Sequence, residues 1–93
     1  MRLSDKERST IKEAVAEIDP LAKIFLFGSR TDDSKKGGDI DLLIMSDILG
    51  RAEKRKIRFK LCDTLGEQKI DLLVARNLSD PFVRMARISG IEL

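Results

Sequence analysis

The chain has no histidine, tryptophan or tyrosine, and only one of its 93 residues is cysteine. Without histidine, the commonest general base and zinc ligand are missing, so any chemistry must use carboxylates, amines or hydroxyls. The four Phe are the only aromatic residues, so stacking platforms for single-stranded nucleic acid are not expected. Cys62 has no partner for an internal disulfide, which fits a reducing compartment.

Long hydrophobic runs are also missing. No apolar stretch approaches the ~18–20 residues of a membrane span, and the N-terminus is charged, so we expect a cytoplasmic protein without membrane contact. The net charge of +2 is too small to indicate direct nucleic-acid binding, which is not expected. The length predicts one domain over residues 1–93, with a thin stability margin that leaves surface for a partner or a second copy to cover.

The hydrophobic pattern predicts elements in the order α-β-β-α-β-α. This order is typical of an α/β (α+β) fold with a small mixed β-sheet and helices packed on it. The boundaries rest on caps and glycines, such as the Ser4 and Glu7 capping box and Gly66 as a helix C-cap. The predicted elements are a helix from Ser4 to before Pro20, strands over 23–27, 39–45 and 70–75, and helices over 50–65 and 80–89.

Three aspartates interrupt the two later apolar strands. Asp39 and Asp41 are two residues apart in a strand, so their side chains point to the same face. Asp71 begins the next apolar strand and joins them if the two strands are neighbours. Three carboxylates on one sheet face suit two Mg²⁺ ions, which prefer oxygen ligands. The alternatives are ordinary caps for Asp39 and Asp41, and for Asp71 a salt bridge with Lys69 or Arg76.

The turn after the first strand contains Gly28, Ser29 and Arg30. Glycine lets a phosphate approach the backbone, and Ser29 at a helix N-terminus offers a hydroxyl and an amide. Ser29 as a simple N-cap is compatible with this role. For Arg30, a phosphate or partner contact stands against a plain surface side chain.

Residues 26–30 (LFGSR), 38–42 (GDIDL) and 70–72 (IDL) together resemble the minimal nucleotidyltransferases of the DNA polymerase beta superfamily. That family has a hydrophobic residue before G[GS], then Asp-hydrophobic-Asp, then a third Asp on a later strand. The resemblance implies that Gly28 and Ser29 hold the triphosphate of ATP. It also implies that Asp39 and Asp41 bind Mg²⁺, and that Asp71 completes the metal site and helps deprotonate the acceptor hydroxyl.

The loop before Asp39 departs from the pattern of many relatives. Asp32 and Asp33 stand where many have glycine, and Gly38 stands where many have serine before the first Asp. We therefore expect its contact with nucleotide to differ, although all three carboxylates are present.

The acceptor is predicted from the resemblance and from the expectation that 93 residues leave no room for an acceptor-binding domain. Free-standing minimal nucleotidyltransferases resemble the antitoxin of HEPN/MNT toxin–antitoxin pairs, which transfers AMP to a tyrosine of a small helical HEPN RNase. Two alternatives stay open: an antitoxin that neutralises its partner by binding alone, and an enzyme for a small-molecule hydroxyl with a separate acceptor-binding subunit.

Two further features are interpreted as structural. The basic run on the second predicted helix is expected to spread around the helix as a solvated face. Cys62 is expected in the core. The residues of the basic run are Arg51, Lys54, Arg55, Lys56, Arg58 and Lys60.

Overall fold

The structure is a computed structural model that describes residues 3–31, 39–66 and 69–93. It confirms the predicted order of helices and strands, and adds a short 3-10 turn and a two-residue C-terminal strand. The elements are α1 (Asp5–Ala16), β1 (Lys23–Phe27), the 3-10 turn (Gly28–Thr31), β2 (Ile40–Met45), α2 (Arg51–Leu65), β3 (Ile70–Ala75), α3 (Pro81–Ser89) and β4 (Ile91–Glu92).

The helix ends form where the sequence places polar caps. The Ser4 amide donates to Glu7 Oε1 at 2.9 Å, and the Glu7 amide donates to Ser4 Oγ at 3.0 Å, which completes the predicted capping box. Asp80 Oδ1 accepts from the Phe82 amide at 2.8 Å and caps α3, whose first residue is a proline. Gly66 ends α2 with a φ of 82°. These local signals explain why the predicted helix ends agree closely with the observed ones.

The four strands form one mixed sheet in the order β3-β2-β1-β4. β1 is antiparallel to β2 and to β4, whereas β2 and β3 are parallel. A parallel pair needs a crossover connection, and α2 supplies it. The strand β4 was not predicted because two residues are too few to show an alternating pattern. The strand order places β2, with Asp41, in the interior of the sheet and β3 at its edge.

Alternation along the strands divides the core between the two faces of the sheet. One face carries Leu26, Leu42 and Ile44, which are fully buried and pack in one cluster with residues of α1 and α2. The opposite face carries Phe25 and Leu43, which pack with Val83 and Ala86 of α3. The short α3 therefore covers part of the second face.

A buried polar link joins the end of β2 to the connection before β1. Ser46 Oγ donates to Asp19 Oδ2 at 2.5 Å, and both residues are buried. Asp19 Oδ1 accepts from the Leu21 amide, and Ser46 Oγ lies within hydrogen-bonding distance of the Ile48 and Leu49 amides. The link satisfies groups that would otherwise be buried without partners.

One core prediction is wrong. Cys62 is exposed, because on α2 the buried positions are Ile57 and Leu61, and Cys62 lies one step around the helix from Leu61. Phe59 of the same helix is 73% exposed. Among the described helices, none has both the length and the apolar character to cross a membrane.

Candidate active site

The pairing of β2 with β3 places two of the three aspartates side by side. Asp41 is the second residue of β2 and Asp71 the second residue of β3, and the two are partners in the parallel register. Because side chains alternate along a strand, both aspartates lie on the sheet face opposite the α1–α2 core, which α3 covers in part. Asp71 is exposed and Asp41 is half-buried. The sheet therefore brings together residues 30 positions apart.

On its other side, Asp41 faces the end of β1. Phe27 is its antiparallel partner, so Gly28 begins the 3-10 turn directly beside the Asp41 carboxylate. Gly28 has a φ of 78°, and a Cβ atom built there would lie 2.3 Å from Asp41 Oδ2. Only glycine combines that backbone conformation with so close an approach. The requirement for glycine is thus a property of the site as well as of the turn.

The remaining residues of the turn are placed beside this point. The Thr31 hydroxyl donates to the Gly28 carbonyl at 2.7 Å and holds the turn closed. Arg30 Nη1 lies 3.9 Å from Glu7 Oε1 of α1. The Ser29 backbone belongs to the turn, but its side chain is outside the described part of the structure. The nucleotide-binding roles of Gly28, Ser29 and Arg30 remain predictions.

Asp39 directly precedes β2, and its carboxylate is 44% exposed. Its Oδ2 lies 3.5 Å from Lys69 Nζ. The sequence offered Lys69 as a salt-bridge partner for Asp71, yet the ion pair forms with Asp39. Arg76, the other partner considered, follows β3 at the end away from Asp71. Among the described residues, therefore, neither Lys69 nor Arg76 forms the salt bridge with Asp71 that the alternative interpretation requires.

The three carboxylates repel one another at Asp41. Burial raises the pKa of Asp41 above its ordinary value, and the Asp71 charge, a hydrogen bond to the Asp71 side chain and the Asp39 charge raise it further. The Lys69 ammonium lowers the pKa of Asp41, but this is the smallest of these effects. A cation between the carboxylates would relieve this repulsion more directly than an exposed lysine does.

The donor set fits Mg²⁺ in kind, because all three side chains offer carboxylate oxygens. In the described ranges, however, no three His, Cys, Asp or Glu side chains are already arranged to hold one ion. The residues therefore fit the metal by chemistry and by clustering, while their coordination remains a prediction.

Two contacts near the site could not be found in the sequence. The rings of Phe27 and Phe82 meet edge to face with centroids 6.1 Å apart, which ties α3 to the residue before Gly28. Arg58 Nη1 donates to the Ile70 carbonyl at 2.8 Å, just before Asp71. Both join residues far apart in the chain, and no local pattern marks them. Gly38, Asp32 and Asp33, on which the departure from the family pattern rests, lie outside the described residues.

Comparison with known families agrees with this geometry. The family model described as nucleotidyltransferase domain matches residues 8–92. The match spans nearly the whole chain and includes Gly28, the three aspartates and every strand. The chain therefore belongs to the nucleotidyltransferase domain family, in the DNA polymerase beta-like superfamily. A comparison with curated proteins gave no match.

Proposed function

We propose that this nucleotidyltransferase is Mg²⁺-dependent, takes AMP from ATP and transfers it to a tyrosine of a small helical HEPN-type RNase, which it thereby silences as an antitoxin. The observation that carries the enzymatic part is the register that sets Asp41 against Asp71 beside Gly28. The partner and the tyrosine rest on the resemblance to free-standing antitoxins.

Four residues of the site would act in the transfer. Gly28 keeps the turn free of a side chain, so the triphosphate can approach the backbone amides. Asp39, Asp41 and Asp71 would hold Mg²⁺, which would neutralise phosphate charge during the transfer. Asp71 is exposed, so its carboxylate can accept the proton of the acceptor hydroxyl. The acceptor oxygen then bonds to the α-phosphorus as the bond to pyrophosphate breaks.

The surface beside the site suits an acceptor carried by another protein. The helices and strands of residues 3–31, 39–66 and 69–93 all belong to the sheet and its cover, and none forms a lobe over the carboxylates. On α3, Phe82, Met85 and Ile88 are large apolar side chains that are 52%, 49% and 81% exposed. Phe82 contacts Phe27 next to the site. A helical partner that docks on this apolar surface would present a tyrosine close to Asp71.

The experiment is intact mass spectrometry of a candidate HEPN partner incubated with this chain, ATP and Mg²⁺. We expect an AMP-sized mass increase on the partner, and none with Asp41→Asn. Asp63→Asn is the matched control, since Asp63 is an exposed acid on α2 and the adduct should form as in the parent. The tyrosine would be identified by peptide fragmentation, and its change to phenylalanine should abolish the adduct.

Other outcomes point to the other functions. A partner that is bound and neutralised without an adduct, equally well by parent and Asp41→Asn, would make the chain a binding antitoxin. Pyrophosphate release with a polyol and no protein acceptor would instead indicate a small-molecule transferase.

A further inference from the structure

Four basic side chains of α2 form a single stripe. Arg51, Lys54, Arg55 and Arg58 have the spacing i, i+3, i+4 and i+7, which is one helix face, and together they line one surface hollow. The predicted spread around the helix describes the whole run of six, since Lys56 and Lys60 lie outside this stripe and Lys60 pairs with Glu17 of α1. Within the described residues, Arg51, Lys54 and Arg55 have no acidic partner.

Among the described residues, no strand pairs with the outer edge of β3, which lies beside this stripe. β3 is the last strand of the sheet, with β2 as its neighbour. The amides of Ile40 and Ser46 donate to the Lys69 and Ala75 carbonyls, each at 3.0 Å. The backbone N–H and C=O groups of the odd-numbered residues of β3 therefore point toward β2. The N–H and C=O groups of Ile70, Leu72 and Val74 consequently point away from the sheet.

The stripe follows that open edge. Arg58 Nη1 donates to the outward-facing Ile70 carbonyl at 2.8 Å, at the start of β3. Near the end of the strand, Arg51 and Lys54 line a second hollow with Leu73 and Val74. The cations thus run antiparallel to β3 from one end to the other. Between them, the edge groups of Leu72 and Val74 have no partner among the described residues.

We propose that the edge of β3 and the basic stripe of α2 together bind an extended acidic segment of a partner protein, which adds to the sheet as a strand. The edge supplies alternating donors and acceptors to the backbone of the segment, and the stripe pairs with acidic side chains on alternate positions. A peptide backbone satisfies both kinds of edge group. The phosphate groups of a nucleic acid offer acceptors alone and would leave the edge carbonyls unpaired.

This surface is separate in its chemistry from nucleotidyl transfer, so its test needs neither ATP nor an acceptor. The probe is a capped eight-residue peptide of alternating Glu and Val, titrated into the full chain and followed by amide NMR. We expect hydrogen exchange to slow at Leu72 and Val74, whose amides gain partners, with little change at Leu73, whose amide already faces β2. That alternation distinguishes strand addition from diffuse attraction between charges.

Matched variants separate the two halves of the surface. Arg55→Glu should weaken binding of the peptide about tenfold, and Lys56→Glu, its exposed neighbour on the same helix, should weaken it far less. A peptide of the same charge with N-methyl groups on its edge-facing amides should lose the exchange protection. The proposal is overturned if exchange at Leu72 and Val74 does not slow. It is also overturned if an oligoribonucleotide of equal charge binds as well, or if Arg55→Glu and Lys56→Glu behave alike.

Discussion

Replacing Gly28 by alanine tests whether the close approach of the turn to Asp41 serves the site. The new Cβ would lie 2.3 Å from Asp41 Oδ2, whereas ordinary contact begins at 3.4 Å, so the carboxylate must retreat by about 1 Å. A displacement of about 1 Å at a catalytic group can cost about 100-fold in rate, which corresponds to ~2.7 kcal/mol of transition-state stabilisation. The substitution also places a side chain at a φ of 78°, at a cost of about 1–2 kcal/mol of folding stability.

Gly66→Ala is the matched control. Gly66 has a φ of 82°, but a Cβ there meets no atom within 4 Å. Both variants place a side chain at a positive φ, so each should lower Tm. Only Gly28→Ala moves the Asp41 carboxylate.

The assay measures kcat/KM for the proposed AMP transfer at a temperature well below both unfolding transitions, with pyrophosphate release as the readout. We expect about a 100-fold loss for Gly28→Ala and less than threefold for Gly66→Ala. Equal losses in the two variants would show that the glycine serves only the backbone conformation, and the argument from the Asp41 contact would fail.

Three further predictions concern stability. Ser46→Ala should lower the free energy of unfolding by about 2–3 kcal/mol in urea titrations, because it leaves a buried Asp19 oxygen without its donor. A similar loss in the control Ser9→Ala, at an exposed position of α1, would contradict this reasoning. Ser4→Ala should cost about 1 kcal/mol by removing the α1 cap, measured in the same way. The folded protein binds the Asp41 proton more tightly than the unfolded chain, so in metal-free buffer the free energy of unfolding should fall as pH rises from 3.8 through the raised pKa. Asp41→Asn should remove this fall, and an unchanged pH profile in that variant would refute the assignment.

The elements were predictable from the sequence because their signals are local. The Ser4 cap, Pro81 at the start of α3 and Gly66 after α2 each act within a turn of the helix that they bound. The apolar strands β1 and β3 were predicted with the bounds that the structure shows. What failed was the side of a helix on which a residue lies: Cys62 is next to a buried leucine in sequence yet is exposed, since the tilt of α2 on the sheet decides the boundary of its buried face.

The sequence predicted which residues form the candidate site, but only part of their arrangement in space. The alternation rule placed Asp39 and Asp41 together, and their meeting with Asp71 was conditional on strand order, which the sequence does not encode locally. The parallel pairing meets that condition for Asp41. The contact of Gly28 with Asp41 and the ion pair of Lys69 with Asp39 depend on distances of a few ångströms. Such distances emerge only when the sheet is assembled.

The parallel pairing of β2 with β3 also sets which changes in chain length the family can tolerate. Residues gained or lost in the connections on either side of α2 leave the strands in place, so Asp41 and Asp71 still meet. A single residue inserted inside β3 ahead of Asp71 would turn that carboxylate to the opposite face of the sheet, among the buried residues under α1 and α2. The number of residues between the two aspartates can therefore vary, whereas each aspartate must keep a position in its strand that points to the same face of the sheet.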